Sequence, residues 1–221
     1  MPNYVERRDY IQMTKEKPED IRRERECYRQ LFSIFSAPFA SVLEIFGGAG
    51  ILREVLGEQK LVDDGTRHEA WDYSERCVDY LAQTFPLSAV RRVDSFNEPI
   101  ENGWELISAD FNSWTFLRYA KQTPYQKLTT RLFESGAAYV QLTDSAVNKM
   151  HLNWTHYSRV FGREIGTDAP LLDYMSHLDV NFRARFNYSL LRVAHHANAS
   201  YLLFQRGRSA DDTIVFYPKV K

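Results

Sequence analysis

Apolar positions along the chain switch repeatedly between helical and strand-like spacing. From Pro18, which suits a first helical position, Ile21, Tyr28, Leu31, Phe32 and Phe35 recur on one face, with Glu19 and Asp20 at the positive end of the helix. Arg22, Arg23, Glu24, Arg25 and Glu26 form its wet side. Pro38 ends this helix, and Ser41–Phe46 is a short apolar strand running into Gly47-Gly48-Ala49-Gly50. Helical spacing resumes through Ile51, Leu52, Val55 and Leu56, and Gly57 is expected to stop it. A second strand, His68–Asp72, leads to a helix with Val78, Leu81, Ala82 and Phe85 on one face and Ser74 as N-cap. Ala89–Val93 before Asp94, and Glu105–Ala109 before Asp110, read as the third and fourth strands. Helical material over Thr115–Glu134 then leads to a fifth strand, Ala137–Leu142.

This alternation predicts an α/β fold around a mainly parallel sheet, with helices on both faces. An arm and helix occupy 1–37 and an α/β core 38–142. Residues 143–198 break the pattern and are expected to form a helical cap, packed through Leu171, Leu172, Met175, Leu178, Phe182, Phe186, Leu190 and Val193. The stretch 199–221 closes the chain with two strands, Ser200–Phe204 and Thr213–Tyr217, expected to pair as a hairpin about a polar turn.

Composition adds exclusions. With 221 residues, 44% hydrophobic and 26% charged, the chain is globular rather than a disordered tail. Its 28 Lys+Arg balance 29 Asp+Glu, so nucleic-acid binding would need a local basic face. The apolar run Ala137–Val140 is far below the ~20 residues of a membrane span. The basic N-terminus lacks a following apolar core, so no secretory signal is expected and a reducing, cytoplasmic compartment is. Cys27 and Cys77 are isolated and read as half-buried helix residues. His68, His151, His156, His177, His195 and His196 lack acid partners at ligand spacing, so no metal site is expected. Thr143-Asp144-Ser145 lacks the glycine-flanked elbow of a hydrolase serine.

Ligands of open α/β sheets bind beyond the carboxyl ends of the strands, which here collect Glu44 to Gly50, Asp72, Asp94, Asp110 and Thr143-Asp144. Glycines after a first strand permit a tight turn and close approach of a ligand, while the following helix offers unpaired N–H groups. The alternative for Asp72 and Asp94 is a pair of solvated acids capping loops.

Val42-Leu43-Glu44-Ile45-Phe46-Gly47-Gly48-Ala49-Gly50, Trp71-Asp72-Tyr73 and Val93-Asp94-Ser95-Phe96 resemble the first three motifs of the class I S-adenosylmethionine-dependent methyltransferases. A dinucleotide-binding dehydrogenase would carry G-x-G-x-x-G instead. The resemblance implies a Rossmann-like, doubly wound, seven-stranded sheet with an antiparallel last strand and a helical insertion. It implies S-adenosyl-L-methionine as cofactor, with Gly47, Gly48 and Gly50 lining its methionine end and Glu44 holding its amino group. Asp72 would take the ribose hydroxyls, Tyr73 would pack on the adenine, and Asp94 with Ser95 would read the adenine edge. Phe46 gives the F-x-G-x-G form seen in many DNA methyltransferases and some RNA enzymes, and Pro38-Phe39 adds likeness to the adenine-N6 type.

The family's fourth motif, Asp/Asn-Pro-Pro-aromatic, is matched here by Ser108-Ala109-Asp110-Phe111-Asn112-Ser113-Trp114 without the prolines. By resemblance Asp110 orients a target amine, Asn112 supplies an amide, and Phe111 or Trp114 stacks on a flipped base. The same run also reads as an N-cap followed by packing aromatics. Lys149, Arg159, Arg163, Arg183, Arg185 and Arg192, interleaved with Trp154, Tyr157, Phe182 and Phe186, fit DNA or RNA, or equally a cap with wet arginines. The expected function is methylation of a nucleic-acid base amine, with a partner subunit a plausible helper for so short a chain. The alternatives are a small-molecule or protein methyltransferase and a non-catalytic cofactor-binding scaffold.

Overall fold

The computed structural model describes residues 18–110, 124–144, 171–196, 199–209, 212–217 and 220. Its elements are α1 (Pro18–Phe32), β1 (Ser41–Ile45), α2 (Ile51–Glu58), β2 (Arg67–Asp72), α3 (Glu75–Thr84), β3 (Ala89–Arg92) and β4 (Leu106–Ala109). They are followed by α4 (Pro124–Glu134), β5 (Tyr139–Asp144), α5 (Leu171–Phe186), β6 (Tyr188–His195), β7 (Ser200–Arg206) and β8 (Val215–Phe216). The strands form one eight-stranded sheet in the order β3-β2-β1-β4-β5-β7-β6-β8. β1 to β5 are parallel, and β7 runs antiparallel to both β5 and β6. The doubly wound, mainly parallel architecture expected from the alternation is therefore present, with one strand more than expected.

Alternation along the strands divides the core in two. Leu43, Ile45, Trp71, Ile107, Val140 and Leu142 point to one face, beneath α4 and α5, while Val42, Leu106, Tyr201 and Leu203 point to the other, beneath α1 and α2. On the first face Phe133 of α4 is ringed by Phe182, Phe186, Tyr188 and Phe204, with centroids 4.6, 5.5, 4.9 and 5.3 Å away. Such aromatic contacts add to the area they bury, which makes Phe182 and Phe186 core residues.

Several expectations change. Glu24 is buried, and Arg25 and Arg29 form ion pairs with Glu54 and Glu58 of α2, so the charged side of α1 docks on a neighbour. Gly57 lies inside α2; the helix ends at Gln59, ahead of Lys60 at φ 59. Ala82 is exposed, while Cys27 and Cys77 are free and buried. Leu190 and Val193 belong to strand β6, not to a helix, so the stretch 143–198 is not helical throughout. The hairpin is β6–β7, and β8 pairs parallel with β6 instead of folding back on β7. Sequence pattern alone did not separate these because β6 is apolar at helical as well as strand spacing. Among the described residues no helix is long and apolar enough to cross a membrane.

The α5–β6 corner is held by Asp179, buried, whose carboxylate accepts the Leu190 N–H and the Arg183 guanidinium. An Asp179→Ala variant leaves that N–H without its acceptor and should lose about 1–3 kcal/mol of stability, read as a lower urea midpoint.

Candidate functional site

Parallel register brings the carboxyl ends of the strands to one rim. Ile45 lies opposite Trp71 and Ala109, Asp72 opposite Arg92, and Ala109 opposite Leu142. At the end of β1 the backbone turns sharply, with Phe46 at φ 62. The N–H groups of Phe46 and Gly47 both donate to the Trp71 carbonyl, at 2.8 and 3.1 Å. Gly48 adopts φ 52 and donates its N–H to Asp72 Oδ2 at 3.0 Å, while Asp72 Oδ1 accepts the Ser74 N–H at 2.8 Å. Gly50, at φ 74, is the N-cap of α2, and a Cβ there would overlap the Phe85 ring and stand 3.1 Å from Leu81 Cδ2. The conformations of Gly48 and Gly50 are ones an L side chain resists. Burial pushes the Asp72 carboxyl up, against the pull of the Ser74, Gly48 and Tyr73 N–H groups.

Beneath the turn lies Glu44, fully buried in β1, its Cδ 3.7 Å from where a Cβ on Gly47 would stand. Its Oε2 is 3.5 Å from His68 Nε2, and neither atom has a hydrogen-bond partner. His68 Nδ1 is 2.7 Å from Ser88 Oγ. Burial pushes the Glu44 carboxyl up, opposed by His68 and, more weakly, by Arg53.

At the end of β3, Asp94 caps its own turn: Oδ1 accepts the Phe96 N–H at 3.1 Å and Oδ2 the Asn97 amide at 2.7 Å. Arg131 from α4 donates to the Ser95 and Glu98 carbonyls and clamps that turn. The buried Ser95 hydroxyl has no hydrogen-bond partner. Tyr73 is 47% exposed, with the Arg92 guanidinium 5.9 Å over its ring, so it stands at the rim and not in the core.

The face of the sheet toward α1 and α2 becomes polar at this rim. Glu44 of β1, Ser108 of β4, and Gln141 and Thr143 of β5 share it with Asp110 by alternation. Ser108 donates to Gln141, whose amide nitrogen lies 3.2 Å from the Thr143 hydroxyl. Asp110 donates its N–H to the Ile45 carbonyl at 3.3 Å and acts electrostatically on Glu44 and on His196, as Asp20 of α1 also does on His196. Burial lowers the His196 imidazole, whose centroid is 5.8 Å from that of Tyr201. Gln141, His196, Arg131 and His68 carry no motif. Polar letters inside an otherwise buried strand were the available signal for Gln141 and His68.

Phe111, Asn112, Trp114 and Lys149 lie outside the described residues. Arg183 is held by Asp179 and donates to Ser189 Oγ at 2.9 Å, whereas Arg185 is exposed over the Phe186 ring at 4.9 Å. The structure therefore brings Glu44, Phe46 to Gly50, Asp72, Asp94, Ser95 and Asp110 to one rim and leaves Arg183 in a structural corner. Among the described residues no cluster of three His, Cys, Asp or Glu side chains is disposed to hold a metal ion.

Two outcomes test this geometry. Gly50→Ala combines an unfavourable φ with overlap on Phe85 and should cost about 2–4 kcal/mol, read from the denaturant midpoint. Glu44→Gln tests the raised carboxyl. A group easier to protonate when folded favours the folded state at low pH and penalises it once the pH passes its folded pKa. The variant should therefore gain stability relative to the parent as pH rises above the ordinary carboxylate range, and a pH-independent difference would contradict the assignment.

No protein-family model matches the chain, and no curated protein matches it in sequence. Among solved structures, an S-adenosylmethionine-dependent methyltransferase from Clostridium acetobutylicum ATCC 824 is similar with a TM-score of 0.57 and 12% identity, over 90% of this chain and 97% of that one. The plantazolicin methyltransferase BpumL, in complex with a triazolic desmethylPZN analog and SAH, gives 0.56 and 11%, over 93% and 92%. The N-methyltransferase NodS from Bradyrhizobium japonicum WM9 gives 0.54 and 14%, over 86% and 98%. At these identities the likeness is one of fold, and the chain has the Rossmann-like α/β fold of these methyltransferases.

Proposed function

We propose that the chain binds S-adenosyl-L-methionine and transfers its methyl group to an amine nitrogen, with a nucleic-acid base as acceptor. The observation that carries the reading is the glycine turn tied to Asp72, with the buried Glu44 beneath it and Asp110 on the adjoining strand. The residues fit the cofactor. Glu44 Oε2 in β1 and Ser95 Oγ after β3 are buried polar atoms with no hydrogen-bond partner among the described residues. A carboxylate has about four lone-pair positions, so Asp72 keeps acceptor capacity beyond the Gly48 and Ser74 N–H groups it already receives.

When bound, the cofactor supplies an electrophilic methyl on a sulfonium. Glu44 would receive its ammonium, Gly47, Gly48 and Gly50 would let it approach the backbone, and Asp72 would receive the ribose hydroxyls. Tyr73 and the Asp94–Ser95 turn that Arg131 steadies would hold the adenine. Asp110 would accept a hydrogen bond from the acceptor amine and so aim its lone pair at the donor methyl; forming the C–N bond breaks the methyl–sulfur bond, and the proton the amine loses would pass to solvent. Catalysis of such a displacement is mostly alignment. Phe111, Asn112 and Trp114, which follow Asp110 directly, would frame the acceptor, and Lys149 and Arg185 would contact its phosphates.

A small-molecule amine is the second reading, favoured by the engagement of Arg183 with Asp179 and Ser189, which removes one of the cations a phosphate backbone would use. Salt separates the two: methyl transfer to DNA or RNA should weaken steeply as salt rises, whereas a neutral small acceptor should hardly respond.

Calorimetric titration with S-adenosylmethionine should show binding that weakens at least tenfold, about 1.4 kcal/mol, in Asp72→Ala. Asp110→Ala should keep that binding and lose labelled methyl transfer to the acceptor pool. Unchanged transfer would remove Asp110 from the acceptor site, and binding with no transfer to any pool in the parent would leave a cofactor-binding scaffold.

A further inference from the structure

The rim accounts for Asp72, Asp94 and Asp110, but it leaves a buried pair with no assigned task. Val42 lies opposite His68 and Glu44 opposite Ala70, so Glu44 and His68 are diagonal neighbours on the face that α2 and α3 cover. Their side chains are 6% and 3% exposed. Glu44 Oε2 and His68 Nε2 stand 3.5 Å apart without a hydrogen-bond partner, while Ser88 Oγ, 2.7 Å from Nδ1, fixes the ring from its far side. A bare carboxylate beside a neutral imidazole, whichever ring nitrogen carries the hydrogen, would leave a net negative charge in a dry interior, at considerable cost.

We propose that Glu44 and His68 share one proton before the cofactor binds, and that the arriving ammonium of the cofactor's amino-acid end expels this proton to solvent. The inference rests on the reading of Glu44 as the acceptor of that ammonium. The charge balances: carboxylate, imidazole and proton sum to zero, as do carboxylate, imidazole and ammonium. The raised Glu44 carboxyl, with His68 the strongest opposing influence, agrees with a proton held there. Other groups act on the pair from each side. Arg53 of α2 favours the carboxylate, and Asp110 beyond β4 disfavours it. Asp72, four residues beyond His68 on the same face of β2, is engaged with Gly48 and Ser74. α3 turns Cys77 and Leu81 inward, and burial pushes the Cys77 thiol up, so it adds no charge.

The full chain should be titrated with S-adenosylmethionine at near-neutral pH in phosphate and in Tris, whose ionisation enthalpies differ. Release of up to about one proton should appear as a buffer-dependent heat, and affinity should rise with pH by up to about tenfold per unit across the titration of the pair. Both effects should vanish in Glu44→Gln and in His68→Gln. Equal heats in the two buffers, or proton release that persists in both variants, would overturn the shared proton while leaving the cofactor reading intact. If S-adenosylmethionine does not bind at all, the cofactor reading falls and the pair is judged in the ligand-free chain. The stability changes of Glu44→Gln and His68→Gln should then be non-additive in the double variant, and additive changes would overturn the pair as well.

Discussion

One oxygen of Asp72 accepts the Gly48 N–H and the other accepts the Ser74 N–H, so the last residue of β2 is bonded to the turn after β1 and to the start of α3. In the same turn Phe46 holds φ 62, a conformation that costs a non-glycine residue energy. Two hydrogen bonds to a charged acceptor, each worth about 1.5–3 kcal/mol, offset that cost and set where α2 begins. Phe85, at the end of α3, then closes over Gly50, so the helix that Asp72 starts also covers the turn that Asp72 holds. One side chain thus ties the glycine turn above Glu44 to the entry of α3.

Polarity at the strand ends follows from the same geometry. Lower on the sheet, the side facing α1 and α2 is filled by Val42, Leu106 and Leu203, with the helices packed directly on them. Toward the carboxyl ends the corresponding positions hold Glu44, Ser108, Gln141 and Thr143, all buried. Buried polar groups are retained where partners are supplied. Ser108, Gln141 and Thr143 satisfy one another, whereas Glu44 Oε2 receives no hydrogen bond among the described residues. The polar set of this rim is thus complete on β4 and β5 and incomplete on β1.

How much of this was legible in the sequence differs element by element. β1 and β4 could be read as short, mostly apolar runs bounded by glycine or an acid, β2 from its place ahead of the capped helix, and Ser74 because an N-cap has a local chemical requirement that it meets at 3.4 Å from the Cys77 N–H. Asp72 could be placed at the rim, but its bonds to Gly48 and Ser74 depend on a parallel register, which no local pattern encodes. Asp94 caps its own loop at the rim, as the second reading offered for it expected. β6 could not be read because its direction is set by pairing with β7, a long-range contact that overrides local spacing. The charged side of α1 was misread for the same reason. Arg25 and Arg29 are surface-like in sequence and become interface residues only because α2 presents Glu54 and Glu58 to them.

The reversed strand explains why the rim extends past Asp110. A sheet of parallel strands alone would bring only strand ends to one edge, and each further strand would need a crossover. β7 enters at Ser200 opposite Asp144 and His195, so the short β6–β7 connection lies at the same edge as the carboxyl ends of β4 and β5. That places His196 and Tyr201 beside the electrostatic field of Asp110, with Asp20 of α1 approaching from the covering layer. The first helix, the middle of the chain and its last third thus meet at one edge, and their meeting depends on the hairpin. It reverses the chain and leaves a buried imidazole, lowered by its burial, within the electrostatic reach of Asp110 and Asp20.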